Sequence, residues 1–333
     1  MNKPVLLLVL TLGLYFFHAN LHAITLKLAT LAPNGSTWMN EMKKGADEIK
    51  TRTDGRVKFK FYPGGVMGND QTVHRKIRIK QLHGGAFSSS GLSQINTAIQ
   101  ALSLPMLFNS FDEVDHVRAH IDQRIKEHMI KSGFVILGIT EGGFARMMST
   151  KPINTLDDIR LNKVWIPEGD ILVAETYNTL GIQPIPLPMS DVFTGLQTGL
   201  IDTIASTSAG AIAFQWHSGL KAMVDLPVLY VIGILAVSND AFERINKDDQ
   251  SIVIEVMSRV FARLDQLNRH DNTEANMALK NQGLAVFRPT QQDIQELRIA
   301  ADQAIASMVD KGMIDRVLVE EIVELLRLLR TRQ

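Results

Sequence analysis

The tightest cluster of metal-ligand types in this chain is His116 and His120, with Asp112 and Asp115 beside them on a segment that reads as a helix. A spacing of four sets two imidazoles on one helix face, which is how a zinc ion is gripped. The glutamate of a His-Glu-x-x-His arrangement is missing, so the pair reads as surface residues and no metal site is assigned. Asp157 and Asp158 follow Thr155 at an expected helix start, where carboxylates favour the helix dipole. No Gly-x-Ser-x-Gly elbow, phosphate-binding loop or dinucleotide fingerprint occurs; the glycine pairs at Gly64, Gly84 and Gly142 lack those spacings. Without cysteine there are no disulfides and no thiolate nucleophile. These residues make a poor case for an enzyme, and none calls for a cofactor.

Two features suit holding a molecule rather than converting one. Ser88-Ser89-Ser90 closes a short strand, where ligands dock in open α/β sheets; the same residues suit a polar turn and helix cap. Trp38, at a loop-to-helix junction, suits stacking on a ligand and ordinary helix packing equally.

The elements that must position these residues follow a repeated grammar. Ile24 to Leu31 alternates apolar and polar residues as a strand, and Ser36 can cap a helix from about Thr37 to Thr51. Val57 to Tyr62 is a second strand, a helix runs from Asp70 to about Lys80, and Gly85 to Ser88 is a third strand. Such a β-α-β-α-β succession predicts a mostly parallel sheet covered by helices. The second half repeats it, with strands over 135–140, 144–149, 164–166, 185–187 and 201–205 and helices over 171–180 and 191–198. Residues 247–281 contain neither proline nor glycine and keep an apolar stripe through Val253, Val256, Val260 and Leu264. Unbroken, that helix would span ~50 Å and could bridge two lobes; a break near Asp271-Asn272 is the alternative. Two amphipathic helices, separated near Gly312, complete the chain.

A length of 333 residues suits two lobes. Lys plus Arg and Asp plus Glu are both 35, so no charge excess points to nucleic acid or to an anionic membrane. The N-terminus has a signal-peptide layout: Met1-Asn2-Lys3, an apolar run from Val5 to Phe17, a polar stretch and Ala23. An uncleaved anchor is the minority reading. No later run reaches the roughly 18 apolar residues of a spanning helix, so the expected mature chain is soluble and exported to the periplasm.

Several short motifs stand in a recognisable order. They are Leu26-Lys27-Leu28-Ala29, Thr53-Asp54-Gly55-Arg56-Val57, Tyr62-Pro63-Gly64-Gly65-Val66-Met67-Gly68 and Leu104-Pro105-Met106-Leu107-Phe108, then Leu180-Gly181, Met189-Ser190-Asp191-Val192-Phe193 and Leu196-Gln197-Thr198-Gly199-Leu200-Ile201-Asp202. Over about residues 24–300 this pattern resembles the solute-binding proteins of TRAP (tripartite ATP-independent periplasmic) transporters. The resemblance implies a two-lobed α/β binding-protein fold with parallel-rich sheets, a long lobe-spanning helix and an interlobe ligand cleft. It implies a receptor that closes on a small solute and hands it to membrane permease subunits; an accessory periplasmic protein that loads the ligand is left open. The expected division is 1–23 signal peptide, 24–144 plus about 235–246 first lobe, 145–234 plus about 282–333 second lobe, and 247–281 the bridging helix.

The departure from the family pattern is Trp165, in Lys163-Val164-Trp165-Ile166-Pro167. Relatives normally carry there an arginine that clamps a substrate carboxylate. A guanidinium matches a carboxylate with a flat fork of donors, whereas an indole offers an apolar face and one N–H. A second family arginine aligns with Ala145, and a one-residue slip would make Arg146 that ligand. The family's pocket asparagine aligns with Ser206, and an aromatic with Met189. The expectation is a cleft walled by Trp165, Phe144 and Met189, with Ser89 and Ser206 orienting a polar end and Trp38 at the edge, holding an uncharged or hydrophobic molecule. The alternatives are an ordinary organic-acid receptor using Arg146 and, from another class, a secreted α/β hydrolase. For Trp165 itself the bland reading is a core residue that plugs the cleft.

Overall fold

The computed structural model describes residues 23–331, and the expected export signal lies outside the described residues. Among the described residues ten strands occur in chain order: β1 (Ile24–Thr30), β2 (Val57–Tyr62), β3 (Gly84–Ser88), β4 (Phe134–Ser149), β5 (Trp165–Pro167), β6 (Ile185–Leu187), β7 (Thr203–Ser206), β8 (Ala222–Val224), β9 (Leu229–Ser238) and β10 (Ala285–Phe287). The main sheet has the order β10-β8-β4-β9-β3-β1-β2, with β7 also paired to β4, and β5 and β6 form a separate pair. Pairs β1–β2, β1–β3, β8–β10 and β5–β6 are parallel, as the βαβ grammar requires. The pairs made by β4 and β9 are antiparallel, so the sheet is mixed rather than parallel-rich.

Those two strands join the lobes. The sequence suggested separate strands over 135–140 and 144–149; β4 is instead one strand of 16 residues. Its ladder with β9 shifts register between Ile136 and Gly138 and again between Glu141 and Gly143. Each shift is a bulge, which bends a strand without ending its pairing. Gly143 takes φ 102°, a left-handed conformation that suits glycine, so the glycine pair turns the strand instead of stopping it.

The long helix Lys247–Asn281 is unbroken through Asp271-Asn272. Asn246 caps it, and Val253, Val256, Met257, Val260, Phe261 and Leu264 bury its stripe against β1, β4 and the helix Thr37–Arg52. Each such side chain contributes roughly 1.5–3 kcal/mol on burial. Where the helix passes the β4 bend, the buried Asn268 and the half-buried Asp265 and Asn272 meet it. Asn268 donates to the Glu141 carbonyl (2.6 Å) and Asn272 to the Gly142 carbonyl (2.7 Å), while Asp265 accepts from the Glu141 N–H (2.8 Å). The helix therefore satisfies backbone groups that the bulge frees from the ladder. Glu141 is fully buried, and burial raises its carboxyl above the usual range against the pull of Arg269 (2.5 Å) and the Tyr230 hydroxyl (2.7 Å).

The chain's end departs from the expected division. The helix Arg316–Arg330 packs its stripe Leu318, Ile322 and Leu326 into the first lobe's core, beside the helix Phe111–Lys131, and not onto the second lobe. Arg330 fixes it there by donating to Glu113 at 2.7 and 2.9 Å. A stripe of that kind records that a helix has a partner but not which lobe supplies it.

Candidate functional site

Between the lobes lies a cleft of about 700 Å3. The first lobe contributes the loop from Thr30 to Trp38 and the end of β3, Ala86 to Ser88; the second contributes Met189 and the segment Thr207 to Phe214. Gly142 of β4 and Val231 to Gly233 of β9 form its floor, and the long helix flanks it from Asn268 to Ala278.

Trp38 sits here because the backbone gives it room. A Cβ on Gly233 would fall 1.5 Å from the Trp38 ring, so only glycine lets the indole lie on the floor. Its N–H donates to Asn268 Oδ1 (3.0 Å), whose amide in turn holds the β4 bend. Asn272 does the same across the cleft: one end holds Gly142, and its Oδ1 accepts the N–H of Ala209 in the second lobe (3.1 Å). Two asparagines one helical turn apart thus tie the floor to both walls.

Among the described residues, the lining holds three carboxylates, Asp70, Asp271 and Glu274, and no lysine, arginine or histidine. Thr37 Oγ1 donates to Asp271 (2.8 Å). Burial raises the Asp70 carboxyl above its usual range, against the opposing charge effect of His74. Phe87, Phe214, Ile212 and Val231 supply the apolar surface.

Of the residues singled out from sequence, Trp38 and Met189 line this cleft. The other five do not. Trp165 is 5% exposed and packs in the second lobe's core, edge-on to Trp216 at 5.5 Å, with its N–H given to the Leu187 carbonyl (3.0 Å). Phe144 packs in the first lobe's core against Tyr230 (5.5 Å) and Phe111 (5.0 Å). Ser206 is buried and donates to the Thr207 carbonyl (3.1 Å). Ser89 is buried and shares a hydrogen bond with Ser103 (3.2 Å), whereas its neighbour Ser88 lines the cleft and caps the short helix that follows. Arg146 lies 3.5 Å from Asp225, a carboxylate it shares with Arg288 at 3.7 Å. Ser88 thus combines the two readings of the serine run, and Trp165 follows the bland one.

Sequence reasoning missed Asn268, Asn272, Asp271 and Gly233. The readable signal was Asn268 and Asn272 standing where an apolar stripe should continue.

Comparison with known proteins agrees with the architecture. The profile of the bacterial extracellular solute-binding proteins, family 7, matches residues 28–312. A solute-binding protein of Roseobacter denitrificans is 26% identical over 238 residues, covering 70% of this chain and 71% of that one. The sialic acid-binding periplasmic protein SiaP of Vibrio cholerae is 21% identical over 277 residues, covering 82% and 86%. The crystal structure of a sugar acid-binding protein from Advenella mimigardefordensis, in complex with galactonate, superposes with a TM-score of 0.84 at 18% identity, covering 91% and 98%. With two lobes, a cleft between them and a family profile over most of its length, the chain belongs to family 7 of the bacterial extracellular solute-binding proteins, the periplasmic receptors of TRAP transporters, and is a receptor rather than an enzyme.

Proposed function

We propose that this receptor takes its solute in the cleft between Trp38 and Phe214, closes its lobes on it by bending β4 and β9, and presents the closed form to a TRAP permease. The observation that carries the choice of site is the paired tether of Asn268 and Asn272, which links the cleft floor to the first wall through Trp38 and to the second through Ala209. Ligand contacts that exist only when the walls meet would favour the closed state.

Two ligand classes divide the support. What the relatives bind favours an organic acid: the Vibrio cholerae protein is named for sialic acid, and the Advenella structure holds galactonate. That kinship is the stronger support. Arg146 is the cation weighed for that reading, and since it does not line the cleft it would have to leave Asp225 and turn into the cleft to meet the acid. The lining of the cleft favours an uncharged, largely apolar molecule, because three carboxylates and no cation among the described lining residues would repel an anion and leave it unpaired. The classes separate in one experiment: thermal unfolding of the purified protein with galactonate, sialic acid and whatever neutral compound is extracted from it and identified by mass spectrometry. Stabilisation by the acids that disappears in Arg146→Met selects the acid reading. Inert acids with a co-purifying neutral ligand select the other. A protein that neither retains nor responds to any small molecule would sink the receptor reading of the cleft.

A further inference from the structure

A second cavity, about 110 Å3, shares no lining residue with the cleft. Its walls come from the helix Leu156–Arg160 (Leu156, Ile159, Arg160), the helix Ile171–Thr179 (Leu172, Val173, Tyr177), the helix Gln291–Asp310 (Leu297, Ala301, Met308), and the strand ends and loops holding Met106, Met147 and Leu226. Leu172 and Met308 belong to the first lobe's core and Met147, Tyr177 and Leu226 to the second lobe's. An occupant would therefore touch both.

The lining is largely apolar, and its polar members other than Gln100 are already engaged: Ser103 with Ser89, Thr176 with the Leu172 carbonyl, Tyr177 with the Met147 sulfur and the half-exposed Arg160 with Asp157. Gln100 lines the cavity, is 2% exposed, and donates its amide N–H to Asp170 Oδ2 (2.8 Å). Asp170 also accepts from Ser90 Oγ (2.5 Å) and caps the helix Ile171–Thr179 through the Val173 N–H (3.0 Å), so its carboxylate fixes which way the Gln100 amide faces. The remaining atom, Gln100 Oε1, is buried and has no hydrogen-bond partner. A buried acceptor left unmatched is costly, and native structures seldom keep one without a use.

We propose that this cavity is a second binding site, for a small neutral molecule with an apolar body and one hydroxyl or N–H that donates to Gln100 Oε1. Apolar cavities near 150 Å3 stay dry and take up benzene, so the space here suits one aromatic ring or a short branched chain. A charged ligand is disfavoured, because Arg160, the cation among the described lining residues, is already paired with Asp157 and the rest of the wall is largely apolar.

The test uses the whole protein with methyl-labelled methionine. Met106, Met147 and Met308 report on the cavity, and Met189 reports on the cleft. Phenol and toluene have nearly the same shape and differ in one donor. Phenol should shift the three cavity methyls and bind roughly 3- to 10-fold tighter than toluene, the worth of one hydrogen bond. In Gln100→Met the two should bind alike. Should that variant fail to fold, the phenol–toluene comparison in the unaltered protein still decides. Shifts confined to Met189, equal affinity for the two compounds, or an ordered water on Gln100 Oε1 that phenol does not displace would each overturn the proposal.

Discussion

The two walls of the cleft treat a tryptophan in opposite ways. Trp38 and Trp165 both give their indole N–H to an internal acceptor, Asn268 Oδ1 and the Leu187 carbonyl respectively. On the first wall the ring lies over glycine and keeps a face to the cleft; on the second it is enclosed by Met148, Val192, Leu196 and Trp216. The difference lies in what surrounds each ring. The Trp38 loop meets a strand stripped to Gly233, which leaves open space above it. Trp165 stands on β5, a three-residue strand whose second lobe must build a core from few elements, and a large ring is most useful there as filling. Packed in that core, the Trp165 indole gives the second wall of the cleft no aromatic face.

That contrast predicts opposite phenotypes. Trp165→Ala should cost about 3–5 kcal/mol of stability, as expected for emptying a packed core, while the protein that still folds keeps its ligand preference. Trp165→Arg should destabilise similarly, since it places a guanidinium among apolar side chains. Denaturant unfolding gives the first quantity, and competition among ligands gives the second. A Trp165→Arg protein of normal stability that newly binds galactonate would show that the position does reach the ligand.

Trp38→Phe should be milder for the fold and harsher for binding. It keeps most of the ring but leaves Asn268 Oδ1 without its donor, at a cost of about 1–3 kcal/mol. Ligand affinity should fall together with the protection of the Gly142 region from hydrogen exchange, because Asn268 carries both. If affinity stays unchanged, Trp38 is only a packing residue and the two walls are alike.

How far these features could be read in advance depends on whether a local pattern has one physical outcome. The long helix was legible because thirty-five residues without proline or glycine, carrying one apolar stripe, have few other outcomes. The cap at Ser36 was equally local, and its hydroxyl accepts the Met39 N–H (3.3 Å). The join between the lobes was not legible. A glycine pair in a strand can end it or bulge it, and only pairing with the distant β9 decides. The cleft residues were harder still. A resemblance to a family suggests which residues face a ligand but not the direction of a side chain on a three-residue strand, and Trp165 packs into the second lobe's core. Gly233 gave no signal of its own, because its meaning depends on a ring nearly two hundred residues away.

The smallest expected effect tests the electrostatics of the first wall. Asp70 opens the helix Asp70–Arg78, whose N-terminus favours a carboxylate, and His74 one turn on also favours the charged form. Burial outweighs both and raises its carboxyl above the ordinary 3.8. A carboxyl that holds its proton more tightly when folded than when unfolded contributes most below its unfolded value. That contribution is lost as the pH rises through the folded value, where ionisation in the folded state becomes a burden. Asp70→Asn removes the burden. The variant should therefore unfold at the same denaturant concentration as the parent near pH 3.5 and at a higher one near pH 7. A gap of constant size across that range would mean that Asp70 acts by packing, and the first wall would then carry no electrostatic strain for a ligand to relieve.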